Sequence, residues 1–200
     1  MERTFLETLE NRRSYYNINA HSPVPDEEIV RVIHEAVTHV PSAFNSKPTR
    51  IVLLLGDEHR KLWNIVKETL KKMLPIDIFS RTEAKINGEF FCGYGSVLFL
   101  EDDADVRKLE HSYPLYAERF KTWSQHTSAM HQLAIWGMLE NLGFGASLQH
   151  YNPLIDDEVK QIWHLPHEWQ LVAQMPFGMP TAAPEEKKYK PIEERVKVYK

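Results

Sequence analysis

A single cysteine, Cys92, means that no disulfide can form within the chain, and a lone thiol beside six methionines is the usage of a reducing compartment. No stretch approaches the ~20 apolar residues that a membrane-spanning helix needs. Met1-Glu2-Arg3-Thr4 leads into a charged amphipathic segment, without the apolar core of a signal peptide. These absences predict a cytoplasmic protein that enters no membrane. Positive charge is not in excess either. A net charge of −4 gives no basis for a nucleic-acid partner and disfavours an anionic membrane surface, so basic clusters must be local devices.

The common chemical signatures are also missing. No Gly-x-Gly-x-x-Gly follows a strand, and there is no P-loop lysine motif; Gly143-Phe144-Gly145 lacks a third glycine and follows a helix. Ten histidines include no His-x-x-x-His with an intervening Glu, which argues against zinc. There is no Gly-x-Ser-x-Gly nucleophile. Cys92, beside Phe90 and Phe91, is expected to be an inert buried thiol. Glu101-Asp102-Asp103 looks like a metal site but has no partner ligand at a usable spacing, and a solvated turn is the expectation.

What is present is ordinary globular material: 200 residues, 42% hydrophobic and 26% charged, enough for one domain spanning 1–200. Aromatic content of 11%, with five tryptophans, suits stacking surfaces, a subunit interface or a well-filled core. Hydrophobic spacing predicts helices over 2–12 (Phe5, Leu6 and Leu9 on one face), 27–40 (N-capped by Asp26), 58–73, 115–142 and 155–164. Strands are predicted over 51–55, 96–100, 146–151 and 169–175. Residues 75–87 give mixed signals. The 115–142 pattern carries apolar residues on more than one face, so that helix is expected to be central and buried on several sides. From Pro180 onward the chain is lysine-rich, yet Ile192, Val196 and Val198 are spaced to pack, so the tail is either a loose end or an arm laid along another subunit. Irregular alternation of helices and short strands gives an α+β class.

Three segments are suited to an anionic, planar ligand. Arg12 and Arg13 offer forked donors that match phosphate, and Ser14 adds a hydroxyl. Lys188 and Lys190 lie two apart in an extended segment. Pro41-Ser42-Ala43-Phe44-Asn45-Ser46-Lys47-Pro48 offers amides, hydroxyls and a cation to a flat ring. Taken singly, each also reads as surface charge or a plain helix-to-strand turn.

In order and spacing, Arg12-Arg13-Ser14, Pro41 to Pro48, Gly143-Phe144-Gly145-Ala146-Ser147 and Lys188-Tyr189-Lys190-Pro191-Ile192 resemble the FMN-dependent nitroreductase family over nearly the whole chain. Gly93 to Asp102 and the ending Pro191-Ile192-Glu193-Glu194-Arg195-Val196 resemble its small bacterial and fungal branch linked to fatty-acid-dependent repression.

The resemblance implies a nitroreductase-like α+β fold. A central, mostly antiparallel sheet is flanked by helices, one helix is long and central, and an arm over about 180–200 is exchanged in a homodimer. It implies that Arg12, Arg13, Ser14, Lys188 and Lys190 hold the FMN phosphate and ribityl chain. Ser42, Asn45, Ser46 and Lys47 would face the ring, and Leu148, Gln149 and His150 would approach its N5 and O4. Two departures stand out. Tyr16 occupies a position where relatives often carry a cation, and Lys47 replaces a glutamine; Lys47 is expected to supply the charge that position 16 lacks, leaving Tyr16 to pack near the ring. The implied activity is NAD(P)H-dependent reduction of nitroaromatics or quinones by a ping-pong exchange on the flavin, with no catalytic protein nucleophile and no metal. A flavin- or tetrapyrrole-binding sensor or store, and a non-enzymatic helical adaptor, are the alternatives.

Overall fold

The computed structural model describes residues 3–200. The order along these residues is α1 (Phe5–Asn11), β1 (Ile18–Asn19), α2 (Asp26–His39), β2 (Thr49–Leu55), α3 (Gly56–Met73), α4 (Ile76–Ile86), β3 (Gly95–Asp102), α5 (Asp103–Ser112), α6 (Ala117–Asn141), β4 (Gly145–Ala146), α7 (Asp156–Ile162) and β5 (Trp169–Pro180). The strands form one sheet in the order β1-β5-β3-β2, with β4 also on β5, and every pairing between them is antiparallel. The α+β expectation, with a long helix in place of 115–142, is met.

Strand β3 explains why its sequence reads as an unbroken apolar run. Both its faces are covered, which removes the polar alternation of a half-solvated strand. Leu98 and Leu100 point into a core shared with α3, α4 and α7. Val97 and Phe99 point into a second core shared with α2 and α6. Each core also takes residues of β5: Leu171 on one side and, past a bulge in the β3–β5 pairing, Ala173, Met175 and Phe177 on the other.

Several boundaries differ from the sequence expectation. Strand β2 passes straight into α3 because Gly56 takes a left-handed φ of 54°. Strand β5 runs on through Pro176 to Pro180; Pro176 contributes only its carbonyl, which accepts the Ser147 N–H at 3.3 Å. Residues 76–86 are helical, and α5 was not anticipated at all. Its start explains the carboxylate run. Asp102 caps α5 through the Ala104 N–H at 2.9 Å and pairs with Arg50 at 2.9 Å, while Glu101 is buried at 2% exposure, so the expected solvated turn is not there.

The apolar face expected on α1 is also turned around. Thr8 is the buried residue, bonded to Asn141 and packed where a Cβ on Gly137 would lie 2.8 Å from its methyl group. Arg3 pairs with Glu140. Polar contacts therefore seat α1 on the C-terminal end of α6 and leave Phe5 75% exposed. Helix α6 buries a polar stripe of Ser124, Thr127, Ser128, His131 and Gln132, while Met130 and Leu133 face outward. After Pro180 the chain forms no helix or strand apart from one turn at Ile192–Glu194. Among the described residues, no hydrogen bond joins 182–200 to the rest of the chain.

Candidate functional site

The capping box at Thr4 and Glu7 starts α1, and the chain leaves it through Arg12. The Arg12 guanidinium lies 4.2 Å from the centre of the Trp136 ring on α6, a cation–π placement. Its Nη1 is buried without a hydrogen-bond partner, and so is Trp136 Nε1. Burial, followed by the neighbouring Arg13 charge, pushes the Arg12 pKa down from its usual value. A side chain with five donors and a half-buried charge thus keeps an unmet demand for an anion.

Ser14 pairs in a parallel bridge with Ala146, and the Tyr15 N–H donates to the Ala146 carbonyl at 2.9 Å. The approach requires Gly145, where a Cβ would meet the Tyr15 side chain at 2.7 Å. The structure therefore brings Arg12-Arg13-Ser14 beside the segment 146–150. In that segment Gln149 is bridged to Gln174, its N–H donating to the Gln174 carbonyl at 2.7 Å. The Gln174 side-chain oxygen accepts the Tyr151 N–H at 2.7 Å. Among the described residues, the N–H groups of Leu148 and His150 have no protein acceptor. Tyr16 stands exposed just past this corner.

The second set of residues lies elsewhere. Phe44, Asn45 and Lys47 all have left-handed φ, at 56°, 51° and 51°. Such backbone costs on the order of 1 kcal/mol per non-glycine residue, and surrounding contacts must hold it. Here Ser42 Oγ accepts the Lys47 N–H at 2.9 Å, and Arg50 donates to the Lys47 carbonyl at 2.7 Å. Arg50 is itself neutralised by Asp102 and Asp105, whereas Lys47 makes no ion pair among the described residues. Ser42 and Lys47 border a cavity of about 690 Å³ between α2 and β2, into which His34, Arg50 and His131 also face.

The two sets are far apart. Arg12 rests on Trp136, and Phe44 of the loop rests on Trp123, thirteen residues earlier on the same helix. At 1.5 Å rise per residue the separation along α6 is about 20 Å. Lys188 and Lys190 sit on the unattached arm and meet neither set through a hydrogen bond or ion pair among the described residues. Sequence reasoning grouped these residues as local motifs but carried no information on the distance between the motifs within one chain. It also missed Trp136, which lies about five turns into α6 and reads as one more apolar residue of that helix.

Two buried titratable groups complete the electrostatics. Burial pushes the Glu101 carboxyl up to about 7, despite hydroxyl donors from Thr49 (2.6 Å) and Ser124. Burial holds His59 down to about 4, with Ser96 on Nδ1 at 2.9 Å and the Phe91 carbonyl on Nε2. Cys92 is half-buried, its Sγ donating to the carbonyls of Gly88 and Ile18, and burial raises its pKa, in line with an inert thiol.

Known proteins resemble this chain over almost its full length. Residues 9–179 match the group described as the Nitroreductase family. The nitroreductase FRM2 of Saccharomyces cerevisiae is 35% identical over 190 residues, covering 92% of each chain. Nitroreductase CinD of Lactococcus lactis, solved with chloramphenicol, is 39% identical with a TM-score of 0.90, over 98% of this chain and 100% of its own. A crystal structure of a nitroreductase from Saccharomyces cerevisiae gives 32% identity and a TM-score of 0.74, over 87% of this chain and 94% of its own. Matched by the family over residues 9–179 and by relatives across nearly its whole length, the chain belongs to the nitroreductase family.

Proposed function

We propose that the protein is an FMN-dependent oxidoreductase that uses NAD(P)H to reduce nitroaromatics or quinones. The observation that carries this reading is the unmet Arg12 guanidinium beside Ser14 and the free N–H groups of Leu148 and His150. A phosphate supplies the acceptors that Arg12, Arg13 and Ser14 lack, and a polar ring edge suits two free amides. The donor set thus fits FMN. When bound, FMN would supply hydride uptake and release at N5, with NAD(P)H and the oxidant taking turns at one face. The chain's own part is to bind, orient and polarise. Arg12, Arg13 and Ser14 hold the phosphate end, with Lys188 and Lys190 of the arm. Leu148 and His150 fix one ring edge through backbone N–H groups, and Gln149 holds that segment to β5. Ser42, Asn45, Ser46 and Lys47 approach the ring's pyrimidine side, where Lys47 stabilises negative charge. The likeness to CinD, a protein solved with chloramphenicol and with 4-nitrophenol, supports flat nitroaromatic oxidants.

A homodimer belongs to this reading. The Arg12 set and the 42–47 loop are about 20 Å apart along one helix, so a single small ligand can meet both only if a second copy supplies one of them. The exposed Phe5, Leu6, Met130 and Leu133, the free edge of β2 and the unattached arm are the surfaces such a pairing would cover. The test is the absorption spectrum of freshly purified protein. Flavin bands bleached by NAD(P)H and restored by a quinone are expected. A colourless protein, or a yellow one that NAD(P)H leaves unchanged, would sink the proposal. The Arg12→Ala, Lys190→Ala double variant should be folded and colourless.

A further inference from the structure

Five aromatic rings from three separate segments meet beside the 42–47 loop. Phe44 comes from the loop, Tyr113 and Tyr116 from the turn between α5 and α6, and Phe120 and Trp123 from α6 itself. Tyr116, Phe120 and Trp123 are spaced four and three apart and so share one helical face. Phe120, at 2% exposure, is the floor. Phe44 stands on it with centroid distances of 5.4 Å to Phe120, 4.9 Å to Tyr113, 6.2 Å to Tyr116 and 5.9 Å to Trp123. The planes of Phe44 and Trp123 are within 20° of parallel.

The arrangement is costly for a mere turn. Phe44 keeps a left-handed φ of 56° and is 49% exposed, when a glycine would join α2 to β2 with neither penalty. Tyr113 and Tyr116 are exposed too. Among the described residues, neither phenol hydroxyl nor Trp123 Nε1 donates to any protein acceptor. The cluster therefore offers open aromatic faces, three free donors at its rim, and the unpaired ammonium of Lys47 three residues along the loop from Phe44.

We infer that Phe44, Tyr113, Tyr116 and Trp123 form the platform that selects the oxidant, receiving a flat, electron-poor ring whose nitro or quinone oxygens accept from the rim. Electron-rich faces attract electron-poor ones through their opposed quadrupoles, and a free hydroxyl or indole N–H suits the oxygens. Phe44 is the specificity-determining residue of the group, because it alone is held in place by the loop that also carries Asn45 and Lys47. This inference rests on the proposed oxidoreductase reading, and its test separates the two.

NADH-driven turnover would be compared for menadione, a flat quinone, and ferricyanide, which has no ring to stack. One aromatic contact corresponds to about three- to tenfold. Phe44→Ala should therefore lower kcat/KM for menadione by that factor through KM, and for ferricyanide at least threefold less. Phe44→Tyr should restore menadione. Equal losses for both oxidants, or none for menadione, would overturn the platform. A wild-type protein that turns over neither oxidant would defeat the catalytic reading, and binding then decides. Quenching of tryptophan fluorescence by 4-nitroacetophenone should saturate in the wild type, weaken in Phe44→Ala and lose most amplitude in Trp123→Phe. Superimposable curves for all three proteins would overturn the inference.

Discussion

Arg12 and Lys47 show how much a single residue carries. Arg12 holds a buried donor without a partner, and an unmade bond of that kind costs the fold about 1–3 kcal/mol; on the proposed reading that donor awaits a phosphate. Arg12→Met should raise the melting temperature of flavin-free protein slightly while weakening flavin retention severely; a fall in both would make Arg12 a structural residue. For Lys47, whose backbone conformation is fixed by Ser42 and Arg50 independently of its ammonium, Lys47→Gln should lower the flavin midpoint potential and Lys47→Arg should keep it. The expected shift is on the order of 30 mV, which is about 1.4 kcal/mol for a two-electron couple. A potential unmoved by Lys47→Gln would remove the compensation assigned to this residue. Both residues were legible in the sequence as cations near a serine or a proline-bracketed loop. Their states were not: that Arg12 lacks a partner and that Arg50 is already neutralised depend on Trp136, Asp102 and Asp105, which come from remote segments.

Elements were legible where burial is simple and illegible where it is not. Helix α2 buries Ile29, Val32, Ile33 and Ala36 at helical spacing, and the periodicity found it. Helix α5 buries only Val106, so it has no periodic stripe to find. Helix α1 was found in its place, but Phe5 and Leu6 face outward while Thr8 faces in. Strand β5 was cut short at Pro176-Phe177-Gly178, yet Gly178 is what lets the sheet continue. A Cβ there would lie 2.2 Å from the Asn19 carbonyl oxygen, backbone that cannot step aside. Gly178→Ala should therefore detach β1 from β5 and unsettle the Ser14 to Ile18 corner. Hydrogen exchange at Ile18, Asn19 and Tyr15 should accelerate, and unchanged protection would refute the claim. Gly145→Ala, at the same corner, should loosen Ser14 from Ala146 with flavin loss but a smaller fall in stability.

At the level of the whole molecule, two buried groups oppose each other. His59 has a folded pKa of about 4 against 6.5 unfolded, so its contribution to stability is present above pH 6.5 and lost as pH falls toward 4. Glu101 has a folded pKa of about 7 against 4.5, so its contribution is full below pH 4.5 and lost as pH rises through 7. Between pH 4.5 and 6.5 the two slopes, each about 1.4 kcal/mol per pH unit, cancel. Stability of the wild type should be nearly flat over that window as far as these two groups determine it, and Glu101→Gln should make it climb with pH. Parallel denaturation profiles for the two proteins from pH 4.5 to 6.5 would contradict the pairing. None of this is visible in the sequence, where Glu101 is one of three acidic neighbours and His59 one of ten histidines.

Helix α6, with a tryptophan under each half of the candidate site, acts as a spacer, and its length has a genetic consequence. If each ligand pocket joins the Arg12 end of one copy to the loop end of another, damage to the two ends is not additive. Arg12→Ala chains and Asn45→Ala chains should each be colourless alone. Co-expressed, they should pair at random and rebuild one intact pocket in each mixed dimer, returning about a quarter of the wild-type colour.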